Sequence, residues 1–245
     1  MRDQYAGDVS DLFKLAFLRA LAGHERKLGV AWYYVPEHDG RPDGRHTEHR
    51  LETRWRSLDA DLHRELAALQ ERSVESLERL PVWPAGTLFH RAPVAVRDRS
   101  AWVDGMARTL AEADLVFLDP DNGIGSDPKK HARLTDIAAL RRDGRCVTVI
   151  KFPQFNLNHG VQLENLHRAL GSVGFKKGAT LVTSVSVPTA PGSASVVPRA
   201  RFLALAGEDE TLLLRLGKFH ERLAAMGVRS RVVPWSRSGI ASSTD

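Results

Sequence analysis

The chain has 245 residues, of which 42% are apolar and 27% are charged, and this composition is typical of a globular protein. Lysine and arginine number 35 against 30 acids, so the net charge of +5 is compatible with a polyanionic partner such as nucleic acid. The single cysteine, Cys146, excludes an intrachain disulfide framework and a cysteine-rich zinc site, and it favours a cytoplasmic location. No stretch approaches roughly 18 consecutive apolar residues, so we expect no membrane span, and the charged N-terminus is unlike a secretory signal.

The first half of the chain predicts a helix, a strand, a polar loop, a helical insertion and a second strand. In chain order these are helix 8–23, strand 29–37, loop 38–46, helical insertion 47–80 and strand 86–94. The first helix has a broad apolar face and ends at Gly23, and either Asp8 or Ser10 can cap it. The insertion carries leucines at helical spacing on a strongly charged background.

The second half alternates strands with helices. In chain order these are helix 98–113, strand 114–120, helix 134–144, strand 145–152, helix 158–174, strands 179–187 and 200–207, helix 209–227 and strand 230–235. This alternation predicts a doubly wound, mostly parallel α/β sheet. Strands 179–187 and 200–207 lack a crossover helix, which predicts an antiparallel strand near the sheet edge. We expect one domain over 1–235, with a flexible tail at 236–245.

Polar clusters follow three of the predicted strands. The loop EHDGRPDGR, 37–45, follows the first strand, DPDNG, 119–123, ends the strand that begins at Asp114, and KFPQF, 151–155, ends the next. In open α/β sheets, ligands bind at the carboxyl ends of the strands. We therefore expect a site at this edge, although DPDNG alone also suits an ordinary Asx-type turn.

The segment YAGDVSDLFKLAFLRAL, 5–21, and the order of elements after it resemble the class I S-adenosylmethionine-dependent methyltransferases. Within them the chain resembles the bacterial enzymes that methylate an adenine N6 in large-subunit ribosomal RNA. Four positions match the opening pattern of that family: Ala6, Gly7, Asp11 and Lys14. Three positions differ from it: Tyr5, Asp8 and Leu15.

An Asp-Pro-Pro-Tyr motif ends the fourth strand in that family, and here the same place holds Asp119, Pro120, Asp121 and Asn122. The resemblance implies that these four residues are catalytic. The Asp119 carboxylate and the carbonyl after it would accept hydrogen bonds from an exocyclic amine and orient its nitrogen toward the methyl group. Because the tyrosine is replaced, an aromatic residue of KFPQF would have to stack on the flipped base.

The resemblance also implies S-adenosylmethionine as the cofactor and no resident metal. Lys14 corresponds to the residue that would hold the methionine carboxylate, and the other expected cofactor contacts are Tyr5, Gly7, Glu37, Asp39 and Gly40. The acceptor is expected to be nucleic acid or a nucleoside-like small molecule. Its expected contacts are Arg41, Arg45, Lys151, Phe152 and Phe155.

Two further features depart from the family pattern. Gly40 and Gly44 replace the closely spaced glycines of the cofactor loop, and strand 86–94 ends in Arg-Ala-Pro without an acid for the ribose hydroxyls. Two other functions therefore stay open. One is a metal-dependent nuclease or hydrolase that binds a divalent metal through Asp119, Asp121 and the acids of 37–43. The other is a non-catalytic nucleic-acid-binding relative.

Overall fold

The computed structural model describes residues 1–38, 40, 46–154, 156–188, 193 and 195–235. Seven strands form one mixed sheet in the order β2-β1-β3-β4-β6-β5-β7. The strands are β1 Leu28–Trp32, β2 Leu88–His90, β3 Leu115–Asp119, β4 Cys146–Lys151, β5 Gly178–Pro188, β6 Val196–Ala206 and β7 Arg229–Pro234. Strands β1 to β4 pair in parallel, whereas β6 is antiparallel to β4 and β5, and β7 is antiparallel to β5. The predicted α/β class with mostly parallel core strands is confirmed.

Helices cover both faces of the sheet. The described ranges contain α1 Val9–Ala22, α2 Ala60–Ala68, α3 Val74–Glu78, α4 Arg99–Thr109, α5 Leu134–Leu140, α6 His159–Ser172 and α7 Glu210–Ala225. One apolar cluster joins the sheet to α1, α2, α3 and α7, and the other joins it to α4, α5 and α6. None of the described helices is both long and apolar enough to cross a bilayer.

Short 3-10 helices accompany the insertion and the N-terminal segment. They span Asp3–Tyr5, Glu48–Arg50 and Thr53–Ser57. The predicted helical region 47–80 thus consists of two 3-10 turns followed by α2 and α3. It lies between β1 and β2 in the chain and packs against the same face of the sheet as α1.

The ends of α1 follow from its sequence. The Asp8 carboxylate accepts the backbone N–H groups of Ser10 and Asp11 at 2.7 and 3.1 Å, so Asp8 rather than Ser10 is the cap. Gly23 ends the helix with φ near 57°, a left-handed conformation that favours glycine. Inside the helix, Phe17 packs edge-to-face against Phe219 of α7, with ring centroids 5.7 Å apart.

The predicted antiparallel strand near the C-terminus is present. Strand β6 lies inside the sheet between β4 and β5 rather than near the edge, and the antiparallel β7 forms the edge. The physical reason is burial, because residues 201–206 of β6 are buried on both faces, and such a strand suits the interior of a sheet. The first strand also ends at Trp32 rather than at Glu37, and the predicted tail 236–245 lies outside the described residues.

A buried ionic network holds the loop that follows β3. Arg99 of α4 pairs with Asp136 of α5, whose carboxylate also accepts the Tyr33 hydroxyl at 3.0 Å. The same guanidinium donates to the carbonyls of Pro128 and His131 at 3.0 and 3.3 Å. Asp136 is 0% exposed, so this network satisfies a fully buried carboxylate while it fixes the path of residues 120–133.

We expect Arg99→Met to destabilise the fold strongly. The substitution leaves the Asp136 carboxylate buried without its cation, which typically costs about 3–5 kcal/mol. Urea denaturation followed by circular dichroism measures this loss. The matched control is Arg64→Met, which removes exposed ion pairs with Asp61 and Glu65 and should leave the midpoint unchanged. Equal midpoints for the two variants would show that the network adds nothing to stability.

Candidate functional site at the carboxyl ends of the strands

The candidate site lies where the order of the strands reverses. Strand β1 has β2 on one side and β3 on the other, so the connection after β1 leads to β2 on one side and the connection after β3 leads to β4 on the other. Within the ladder, Trp32 at the end of β1 pairs with Asp119 at the end of β3. Such a switch point opens a crevice at the carboxyl edge, and this is where α/β proteins bind ligands.

Asp119 is held there by a buried ammonium group. Lys14 Nζ donates to both carboxylate oxygens of Asp119, at 3.0 and 2.9 Å, and lies 2.6 Å from Asp11 Oδ1. Lys14 and Asp119 are each 3% exposed, and Asp11 is fully buried. Asp11 and Lys14 lie one turn apart on α1. One cation thus joins two carboxylates and ties α1 to the end of β3.

The charges of this cluster depend on one another. Burial raises the pKa of Asp119 and of Asp11, and the neighbouring Lys14 ammonium opposes that rise. Burial by itself would lower the pKa of Lys14, but Asp11 and Asp119 raise it above its usual value. Lys14 is therefore charged at neutral pH, and two acids share its single positive charge.

The residues after Asp119 fold back on the loop. Asn122 donates its N–H to the Lys130 carbonyl at 2.9 Å, and Gly123, at φ near 89°, accepts from the N–H of Ala132 at 2.9 Å. A Cβ at Gly123 would lie 2.8 Å from the Lys151 Cβ, so only glycine fits there. Pro120 is buried between the two acids.

Asp121 faces cations from the N-terminal segment. The amino group of Met1 lies 2.8 Å from Asp121 Oδ1, and Arg2 Nε lies 3.8 Å from Oδ2. Asp119 and Asp121 thus contact charged groups from elsewhere in the chain. In an ordinary Asx-type turn, by contrast, the side chain bonds to its own backbone.

Of the expected cofactor residues, Tyr5 and Gly7 lie in the N-terminal segment beside this cluster. Tyr5 ends the first 3-10 helix and packs against the core. The N–H of Gly7 donates to Asp11 Oδ2 at 2.6 Å, and its carbonyl accepts from Arg50 of the insertion at 3.2 Å. Gly7 adopts φ near 70°, and a Cβ there would meet the Arg50 guanidinium at 2.4 Å.

The loop after β1 is described only in part. The Glu37 carbonyl accepts from Arg2, while its exposed carboxylate lies 3.9 Å from Lys129. Gly40 is exposed, and its N–H donates to His38 at 3.0 Å. Four expected contacts lie outside the described residues: Asp39, Arg41, Arg45 and Phe155. Their assigned roles stay predictions.

The expected acceptor residues Lys151 and Phe152 lie at the end of β4, next to β3. Both are half-buried, and burial lowers the pKa of Lys151. Phe152 lines a cavity on the far side of β4 from Asp119. The structure therefore brings Lys14, Asp119, Asp121, Lys151 and Phe152 to one edge of the sheet.

Sequence reasoning missed the residues that hold the N-terminal segment in place. Besides Arg50, Arg72 donates to the carbonyls of Ala6 and Gln4 at 2.7 and 2.8 Å. Both arginines belong to the insertion, whose leucine spacing predicts packed helices but no contact with the N-terminal segment. Asp11 had been noted as a match but not as a partner of Lys14, although their spacing on one helix face indicates such a pair.

Within the described ranges, no three His, Cys, Asp or Glu side chains are arranged to hold a metal ion. No family model matches the chain, and no curated protein matches it. Among solved structures, a DUF519-family protein of Legionella pneumophila is 14% identical, with 95% of this chain and 98% of that chain covered and a TM-score of 0.45. A Pyrococcus horikoshii protein provisionally described as an RNA methyltransferase is 12% identical, with 81% and 82% covered and a TM-score of 0.35. At this identity and TM-score, neither likeness carries an activity over to this chain.

We expect Lys14→Met to destabilise the fold in a pH-dependent way. Without the ammonium, two buried carboxylates lose their cation, which should cost about 3–5 kcal/mol at pH near 8. Their folded-state pKa values, already raised, then rise further above those of the unfolded chain. The folded state binds more protons in that window, so the variant regains stability as the pH falls toward about 5. Urea denaturation at both pH values measures the difference.

In the unsubstituted protein Lys14 keeps its charge over this whole range, because its folded-state pKa is raised, and its contribution does not change. The control is Lys176→Met, at an exposed position, which should follow the parent protein at both pH values. The double variant Lys14→Met/Asp119→Asn should recover part of the loss at pH near 8, because it buries one charge fewer. A pH-independent loss in Lys14→Met would contradict the charge coupling.

Proposed function

We propose that this chain is an S-adenosylmethionine-dependent methyltransferase-like protein that methylates a nitrogen of a nucleobase, in nucleic acid or in a nucleoside-like molecule. The observation that carries the proposal is the position of Asp119. A buried carboxylate, fixed by a lysine from another element, stands at the β1/β3 switch point. This is the geometry that a fixed hydrogen-bond acceptor for an exocyclic amine requires.

Asp119 retains acceptor capacity in this arrangement. An ionised carboxylate offers about four lone-pair sites, and Lys14 takes one on each oxygen. The remaining sites accept an exocyclic N–H and hold the nitrogen in one orientation. Since the ion pair fixes the carboxylate before the acceptor arrives, little reorganisation is needed. Lys14 also opposes the rise in the pKa of Asp119 that burial causes.

The described residues fit the cofactor in part. S-adenosylmethionine would supply the methyl group, and the Asp121 carboxylate would offer an acceptor for its amines. Its carboxylate does not find a free cation in Lys14, because three carboxylate oxygens already surround that ammonium within 3.0 Å. In the proposal Lys14 therefore positions Asp119, and the cofactor carboxylate is bound by the 37–45 loop.

The Lys14–Asp119 ion pair is also compatible with a second function, that of a non-catalytic nucleic-acid-binding protein. A protein that kept the fold and lost the cofactor would retain this pair as a purely structural contact, and it would bind nucleic acid through its basic surface without catalysis. A metal-dependent hydrolase is the third function, and it would use Asp119 and Asp121 as ligands. Ligand binding separates all three.

We expect S-adenosylmethionine, or its demethylated product, to raise the melting temperature of the purified protein. A ligand at about 100 times its Kd adds about 2.7 kcal/mol, or roughly 5–10 °C for a chain of this length. Scanning fluorimetry and titration calorimetry measure it, with methionine as the control. No shift and no heat at about 1 mM would eliminate the methyltransferase and leave the binding protein. A shift with Mg²⁺ or Mn²⁺ that Asp119→Asn removes would favour the hydrolase.

We expect Asp119→Ala to reduce methyl transfer by about 10²–10³-fold, because the acceptor amine loses its fixed partner. Incorporation of labelled methyl groups into RNA or nucleosides measures the rate, and the calorimetric Kd of the cofactor shows whether the site persists. Asp143→Asn, at an exposed position before β4 and therefore at the opposite edge of the sheet, is the matched control and should retain the parent rate. An unchanged rate in Asp119→Ala would remove this residue from the mechanism.

A further inference from the structure

The cavity that Phe152 lines lies beside the candidate site. It has a volume of about 490 Å³ and is formed by β5, β6 and β7 together with the segment after β4. Phe152 and Pro153 form part of its wall, and His159, the first residue of α6, lies at another side. The volume falls in the usual range for ligand sites, about 300–1,000 Å³.

Two arginines of the edge strand β7 line this cavity. Arg229 pairs with Ser184 of β5 and Arg231 pairs with Val182, so both lie on one face of the sheet with these partners. They are two residues apart on a strand, a separation of about 6.8 Å, similar to that of successive phosphates in a single strand. Both are exposed, and neither forms an ion pair with any residue of the described ranges.

We propose that this cavity binds the sugar–phosphate backbone of a single nucleic-acid strand, with Arg229 and Arg231 on successive phosphates and Phe152 stacked against a base. Unpaired arginines bind phosphates, and an aromatic ring stacks on any base, which together distinguish a nucleotide strand from an acidic peptide. The net charge of +5 acts in the same direction.

The position of the cavity relates it to Asp119. Strand β4 lies between β3 and β6, and neighbouring strands are about 4.8 Å apart, so the β6 wall of the cavity lies about 10 Å from the end of β3. A strand bound along it continues past the carboxyl end of β4 to the switch point. The inference thus rests on the proposed function and extends it, since it identifies single-stranded nucleic acid as the acceptor and gives the side from which it enters.

The test is fluorescence anisotropy with a labelled, mixed-sequence RNA of about 20 nucleotides, without cofactor, at about 50, 100 and 200 mM salt. We expect Arg229→Gln/Arg231→Gln to weaken binding about tenfold or more. We also expect it to reduce the slope of log K against log salt by about 1.4, that is, about 0.7 for each of two phosphate contacts. Phe152→Leu should weaken binding about fivefold with the slope unchanged, because stacking releases no counterions.

The matched control is Arg56→Gln/Arg108→Gln, which removes the same charge at exposed positions away from this cavity and should retain the parent affinity and slope. The inference is overturned if both double variants behave alike, if the parent protein does not bind RNA, or if polyglutamate displaces the RNA as well as unlabelled RNA does. These outcomes are independent of the cofactor titration. Specific RNA binding without cofactor binding would support the RNA site and contradict the methyltransferase proposal. Cofactor binding without specific RNA binding would support the methyltransferase proposal and contradict the RNA site.

Discussion

The arrangement of the strand ends depends on one buried ammonium group. Asp11 and Asp119 would each be costly to bury, and the Lys14 charge between them lowers that cost for both. Lys14 and Asp119 are 105 positions apart in the chain, so the same contact joins the first helix to the middle of the sheet. The orientation of the Asp119 carboxylate is therefore a property of the packed fold and not of its own turn.

The insertion contributes to the site through the backbone of the N-terminal segment. Arg50 and Arg72 donate to the carbonyls of Gln4, Ala6 and Gly7, which lie in the short 3-10 helix Asp3–Tyr5 and directly after it. With those carbonyls satisfied, Gly7 is positioned to donate to Asp11, and Asp11 in turn faces Lys14. The insertion, whose sequence indicates only charged, leucine-rich helices, thus supports the cluster of Asp11, Lys14 and Asp119 through the N-terminal segment.

The sequence predicts the fold class, which the structure confirms, and the location of the candidate site, which stays a prediction; both depend on local pattern. Continuous apolar runs such as 115–118 indicate strands buried on both faces, and their polar ends indicate the carboxyl edge. The partners of Lys14 and the interior position of β6 depend instead on pairing between distant segments, which periodicity does not report. The sequence analysis also missed Arg229 and Arg231, because alternating arginines on a strand are typical of a solvated sheet edge.

In the proposed function, the changed motif after Asp119 alters how an acceptor base would enter the site. Where the methyltransferases that the sequence resembles have an aromatic ring, this chain has Asn122, whose N–H is bonded to Lys130, and the preceding Asp121 is held by cations of the N-terminal segment. Neither residue offers a surface for stacking. Phe152 is half-buried, directly follows the last residue of β4, and lines the arginine-lined cavity. In the proposed function, the base therefore stacks at the end of β4 and not at the end of β3. Asp119 of β3 orients the amine, Phe152 after β4 stacks on the base, and the arginines of β7 bind the phosphates.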